Sequence, residues 1–180
     1  GNHTTQHPCS CNFKFREDGY CLENLTLRDI EDTIDEAKVA LDELFPEQNS
    51  DRTFCYPCYQ SYVGEGERRE SYVPVVAKRF KAARGWGERP NRPELIDLSY
   101  TWSWALEGQS GDQIVEYIKA AVSAGQWAII CMHGVGGQHI SIETEALAEA
   151  AEYLNRNRER IWTDPMISIA NYIIDRRSSI

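Results

Sequence analysis

Trp127-Ala128-Ile129-Ile130-Cys131-Met132-His133-Gly134-Val135-Gly136-Gly137 is the stretch on which the fold turns. Six apolar residues without polar alternation predict a central parallel strand covered on both faces. The histidine and the Gly-Val-Gly-Gly loop that follow put a titratable group at the strand's mouth, where backbone can approach a ligand closely. Read alone, His133 fits two roles: a strand-ending residue bonded to backbone, or a general acid or base.

Outward from this strand, helices and strands alternate. A helix over 112–124 precedes it, closed by Gly125; a helix over 143–158, a short strand at 161–163 and a last helix over 165–175 follow. Nearer the start, Leu27, Ile30, Ile34, Ala37, Leu41 and Leu44 form a helical stripe. Thr26 and Asp29 can cap this helix, which is expected over 27–45. Residues 53–56 then read as a buried strand, 72–84 as a second helix ended by a left-handed cap at Gly85, and 87–93 as a surface connection. Such alternation implies βαβ units and an α/β architecture.

The totals bound the function. At 180 residues, one domain spanning 1–180 is expected, and no apolar run approaches the roughly 20 residues needed to insert in a membrane. A formal charge of −9 repels nucleic acid and anionic lipid, so a neutral or cationic substrate fits better. The opening residues carry no signal-peptide pattern, and the six cysteines leave the compartment open.

Two further places carry chemistry. His3-Thr4-Thr5-Gln6-His7 sets two imidazoles four residues apart, able to meet on one zinc ion if the segment forms a helical turn; otherwise they are two exposed histidines. Arg52-Thr53-Phe54-Cys55-Tyr56-Pro57-Cys58-Tyr59 is a strand running into an aromatic-proline turn.

Taken in order, these pieces change meaning. Asn-His-Thr-x-x-His-Pro, a helix, Phe-x-Tyr-Pro, a helix ending in Ala-Arg-Gly, a strand delivering His-Gly-Val-Gly, and then a helix and Ile-Trp together resemble the polysaccharide deacetylase (NodB-homology, carbohydrate esterase family 4) family. The resemblance covers essentially the whole chain, weakly over 87–110 and strongly over 127–175. It implies an α/β fold, a distorted (β/α) barrel missing its first two strand–helix units. The activity it implies is metal-dependent hydrolysis of the N-acetyl group of an amino sugar in a glycan, releasing acetate, at the cell envelope or in the secreted fraction.

The same resemblance implies roles for individual residues. His3 and His7 look like the metal-binding pair, holding a divalent metal with Zn²⁺ as the default. His133 looks like the general acid that protonates the departing amine. Tyr56, Pro57 and Cys58 look like the turn that lines the substrate site, with the Cys58 N–H binding the oxyanion. A divalent metal would polarise the acetyl carbonyl and acidify a water.

The sequence departs from the family in places. The family's paired-aspartate strand, which supplies the base and a third metal ligand, precedes the histidine pair and is not among these residues, so the 180-residue chain alone is expected to be inactive. Cys55 stands where an arginine is often found, and Cys131 where a leucine usually lines the acetyl pocket. Asp97, Trp102 and Trp104 fit packing better than base orientation, and His139 fits an exposed loop. The resemblance also brings Cys9 and Cys58 to one face, close enough for a disulfide or a second metal contact, against the alternative of unbridged thiols. Two rival readings remain: an inactive carbohydrate-binding or scaffold domain of the same fold, and a structural zinc site built from Cys9, Cys11, Cys55 and Cys58.

Overall fold

The structure is a computed structural model that describes residues 1–16, 19–48 and 52–179. It is a mixed α/β fold whose chain divides into two compact units, Gly1–Trp86 with Asp97–Thr101, and Gly87–Ile96 with Trp102–Ile180.

In the first unit, α1 (Leu27–Leu44) begins at the expected capping box. The Thr26 hydroxyl accepts from the Asp29 N–H, and the Asp29 carboxylate accepts from the Thr26 N–H at 2.7 Å. The inner face of α1 buries Ile30, Thr33, Ile34 and Ala37. There follow β1 (Phe54–Cys55), β2 (Tyr62–Val63), β3 (Glu70–Ser71), α2 (Val73–Ala77) and β4 (Ala83–Trp86). Strands β1 and β4 are parallel, with Phe54 opposite Ala83, while β2 and β3 form an antiparallel pair. Ile30, Ile34, Phe54, Tyr56, Tyr72 and Val76 belong to one continuous buried core.

The helix expected over 72–84 is corrected. It stops at Ala77, because Val73-Pro74-Val75-Val76 extends a helix poorly past its first turn and residues from Ala83 are drawn into pairing with β1. Gly85 therefore lies inside β4 rather than at a left-handed cap. A side chain there would come within 2.3 Å of the Tyr100 ring, so the position needs glycine for close approach.

The second unit contains β5 (Thr101–Leu106, whose first residue belongs to the first unit), α3 (Gly111–Ser123), β6 (Ile130–Met132), β7 (Gly134–Val135), β8 (Ser141–Ile142), α4 (Thr144–Arg156) and α5 (Met166–Arg177). Helix α3 starts at a second capping box, Ser110 with Gln113, and ends before Gly125 at φ +63°. Strands β5 and β6 are parallel, with Trp104 opposite Ile130. Leu106, Ile114, Ile118, Ile142, Ala146 and Ala150 form the core.

Three expectations fail here. The strand expected over 127–132 is regular only at β6, where Ile130 and Cys131 are half-buried and Met132 is exposed, so the strand is not covered on both faces. Ile130 and Met132, two residues apart, instead line an apolar trough of about 610 Å³ that also takes in Ile118, Leu154 and Trp162. Residues 161–163 form no strand. The 87–93 connection is anchored rather than merely superficial. Asn91 is fully buried, its amide donates to the Trp102 carbonyl, its side-chain oxygen accepts from the Trp102 N–H, and its backbone pairs with Trp127.

Candidate metal-binding histidine pair

The histidine loop hangs on Asn2, a polar residue with no exposed surface. Its N–H donates to the Thr53 carbonyl at 2.7 Å and its own carbonyl accepts from Cys55 at 2.9 Å, which adds it alongside β1. Its side chain donates to the Ile34 carbonyl of α1 at 3.0 Å and accepts from the Thr4 N–H at 2.9 Å. One buried side chain thus fastens the loop to both strand and helix, and burial makes each of these bonds costly to lose.

The loop is not the turn of helix the spacing suggested. Thr4 and His7 both take left-handed conformations (φ +63° and +47°), and the Thr4 hydroxyl accepts from the His7 N–H at 2.9 Å. The reversal brings the two imidazoles together edge to face, centroids 4.7 Å apart. The Arg16 guanidinium holds the outside of the loop, donating to the Gln6 and His7 carbonyls at 2.9 and 2.8 Å.

His3 Nδ1 lies 2.8 Å from the Cys55 carbonyl oxygen. A carbonyl only accepts, so the neutral ring carries its proton on Nδ1 and its lone pair on Nε2. Metal-ligating histidines are commonly oriented in this way. His7 Nδ1 is 3.5 Å from Cys9 Sγ.

Cys9 and Cys58 are joined by a disulfide across 49 residues, and Cys11 and Cys21 by another. Of the openings considered for this pair, the disulfide is the one found; unbridged thiols are not. The four-cysteine zinc site is also corrected, since the sulfurs of Cys9, Cys11 and Cys58 are engaged in these bridges while Cys55 and Cys131 lie outside them. Among the described residues, no third histidine, cysteine or carboxylate joins both His3 and His7 in one tight cluster; the groups gathered at His7 are the bridged sulfurs. Two neighbouring imidazoles are of the donor type that zinc takes, and by number they fall short of the three protein ligands of an open catalytic site.

The Tyr-Pro turn follows β1 directly. Cys58 and Tyr59 sit at φ +49° and +60°, and the Tyr59 and Gln60 N–H groups bond to the Tyr56 and Pro57 carbonyls, which closes the turn tightly around Cys58. Tyr56 itself is core. Its ring packs against Phe54, Tyr72 and Tyr100, its hydroxyl donates to the Ser99 carbonyl at 2.7 Å, and burial drives that hydroxyl far above its ordinary pKa. Any contribution of Tyr56 to a site comes through backbone rather than the phenol. Pro57 is buried as well.

His133 belongs to the second unit, exposed at the end of β6, with His139 edge-on at 5.8 Å. The glycine loop beyond it is held by its own bonds: Gly134 and Gly136 donate to the Ile140 and Ile142 carbonyls, and Gly137 to the Ser141 hydroxyl at 3.0 Å. Asp97 accepts from the Ser99 N–H at the start of a short 3-10 turn, and Trp104 packs on Tyr117, as their reading as structural residues expects. Compared with known families, curated proteins and solved structures, the chain matches none.

Proposed function

We propose that the chain is a metal-dependent polysaccharide deacetylase of distorted (β/α) barrel type, hydrolysing the N-acetyl group of an amino sugar in a glycan. The observation that carries this reading is the histidine pair: two apposed imidazoles on a pinned loop, one with its tautomer set by the Cys55 carbonyl. In this reading His3 and His7 hold a divalent metal, Zn²⁺ by default. The metal supplies Lewis acidity toward the acetyl carbonyl and a water of lowered pKa. The chemistry also calls for a carboxylate that completes the ligand set and acts as base. In the same reading the Cys58 N–H stabilises the oxyanion, and a general acid, the role the resemblance implies for His133, gives a proton to the departing amine nitrogen, so that amide and water become amine and acetate. Two disulfides within so short a stretch form in oxidising compartments, which fits a glycan at or beyond the cell envelope.

Titration of the unreduced chain with Zn²⁺ tests the site. His3→Ala and His7→Ala should each weaken binding by about a hundred-fold or more, since each removes one of the protein ligands. Unchanged affinity in both variants overturns the reading. The alternative is an inactive carbohydrate-binding domain of the same fold. Acetate release from an N-acetylated oligosaccharide by the zinc-loaded protein separates the two, and there His133→Ala should lower the rate by about 10²–10⁴-fold.

A further inference from the structure

The same two loops that the Cys9–Cys58 disulfide ties together also build a second concavity. Ser10, next after Cys9, and Tyr59, next after Cys58, line a cleft of about 270 Å³ with Leu22 among its walls. That volume admits a single small ring rather than an extended peptide.

The walls of the cleft are fixed. The Tyr100 hydroxyl donates to the Tyr59 carbonyl at 2.8 Å, and the Gln60 side-chain oxygen accepts from the Ser10 N–H at 2.8 Å. Glu23 accepts from the Ser10 hydroxyl and from the Cys11 N–H. Partial burial alone would raise the Glu23 carboxyl, but the Ser10 hydroxyl, the backbone N–H groups and the Arg69 charge outweigh it and hold the group below the usual carboxylate range. At the mouth, Tyr62 is 45 % exposed and the Arg69 guanidinium lies over its ring, 4.2 Å from the centroid.

A rigid cleft with a carboxylate, a guanidinium, an amide and tyrosine rings offers paired acceptors and donors beside flat apolar faces. A pyranose presents the matching surface, hydroxyls around its rim and a C–H face. The opposite charges of Glu23 and Arg69 leave no net charge to attract an anion, which excludes a phosphate or uronate as the natural occupant. The cleft and the histidine pair share a loop, because His7 lies two residues before Cys9 and Ser10 directly after it. We infer that this cleft is a subsite for an uncharged hexosamine unit of the glycan, neighbouring the unit that is deacetylated. The location of the reacting unit rests on the proposed function; the binding of a sugar in the cleft does not.

The test uses the tetramer of N-acetylglucosamine as probe, titrated into the unreduced chain with a chelator present so that metal plays no part, and read by calorimetry and by saturation transfer from protein to sugar protons. Binding in the millimolar range or tighter is expected. Tyr62→Ala and Arg69→Ala, both at exposed positions, should each weaken it about ten-fold, while the His3→Ala, His7→Ala double variant binds as the parent does. Absence of binding by the parent chain overturns the inference, and so does unchanged affinity in both cleft variants. Zinc binding at the histidine pair without tetramer binding would leave the proposed function standing and sink the subsite alone. Tetramer binding without zinc binding would do the reverse.

Discussion

The two units solve the burial of an α/β core differently. In the first, α1 lies on a core of interlocked rings and branched side chains, and Ile30, Ile34, Phe54 and Tyr56 are all at most 1 % exposed. In the second, α3 and α4 share a smaller core, while Val122, Met132, Trp162 and Tyr172 stay at least 39 % exposed around the trough. The closed unit holds the histidine pair and both disulfides; the open unit holds His133 at the end of a half-covered strand. The contrast teaches that precision at the histidine loop is built from local covalent and hydrogen-bonded constraint. The His133 strand is placed by its pairing with β5, by the Asn91–Trp127 bonds at its start and by a self-bonded glycine loop at its end.

The sharpest way to break this comparison is to cut equal volumes from the two cores. Ile34→Ala should cost about 4 kcal/mol, as for a fully packed site, whereas Ile130→Ala, already facing the trough, should cost about 1 kcal/mol or less. Urea unfolding with hydrogen exchange resolved by unit would show it, and equal losses would refute the distinction. Next in size, replacing Cys9 and Cys58 together by serine should remove about 3 kcal/mol from the first unit and leave exchange in the second unchanged.

The smallest effect is on pH. Glu23 and Asp29, and Asp35 through its hydrogen bonds to Arg79, all have carboxyls held below their ordinary values, and all three lie in the first unit. A depressed folded-state pKa adds stability that is complete above the unfolded pKa, near pH 4–4.5, and is lost as pH falls through the folded value. Solvent screening limits the sum to under about 1 kcal/mol. First-unit exchange should therefore rise as pH drops below about 4, and Glu23→Gln should flatten part of that slope.

Much of this was legible in the sequence where the cause was local. The Thr26 cap, the α1 stripe and the Gly125 stop are short-range signals, and each appears where expected. The second helix was not, because its apolar spacing matched a helix while the pairing of Ala83 with Phe54 is set by residues 29 positions away. The apolar run at 127–132 told what could be buried but not whether anything covers it. At the site, the histidines announced themselves by type and spacing. The Cys55 carbonyl that orients His3 did not, since a backbone acceptor 52 residues on leaves no mark in composition. Asn2 was readable only as a letter of the motif; its bonds to Ile34, Thr4 and Thr53 exist only once helix and strand have met.

The Cys9–Cys58 bridge also makes the segment between those residues a covalent ring. A protease that cuts once inside the ring opens it without releasing either end. The histidine loop and the Tyr-Pro turn would remain on one particle, running as a single band on a gel until a reductant is added. A single cut there would leave both on one covalent particle.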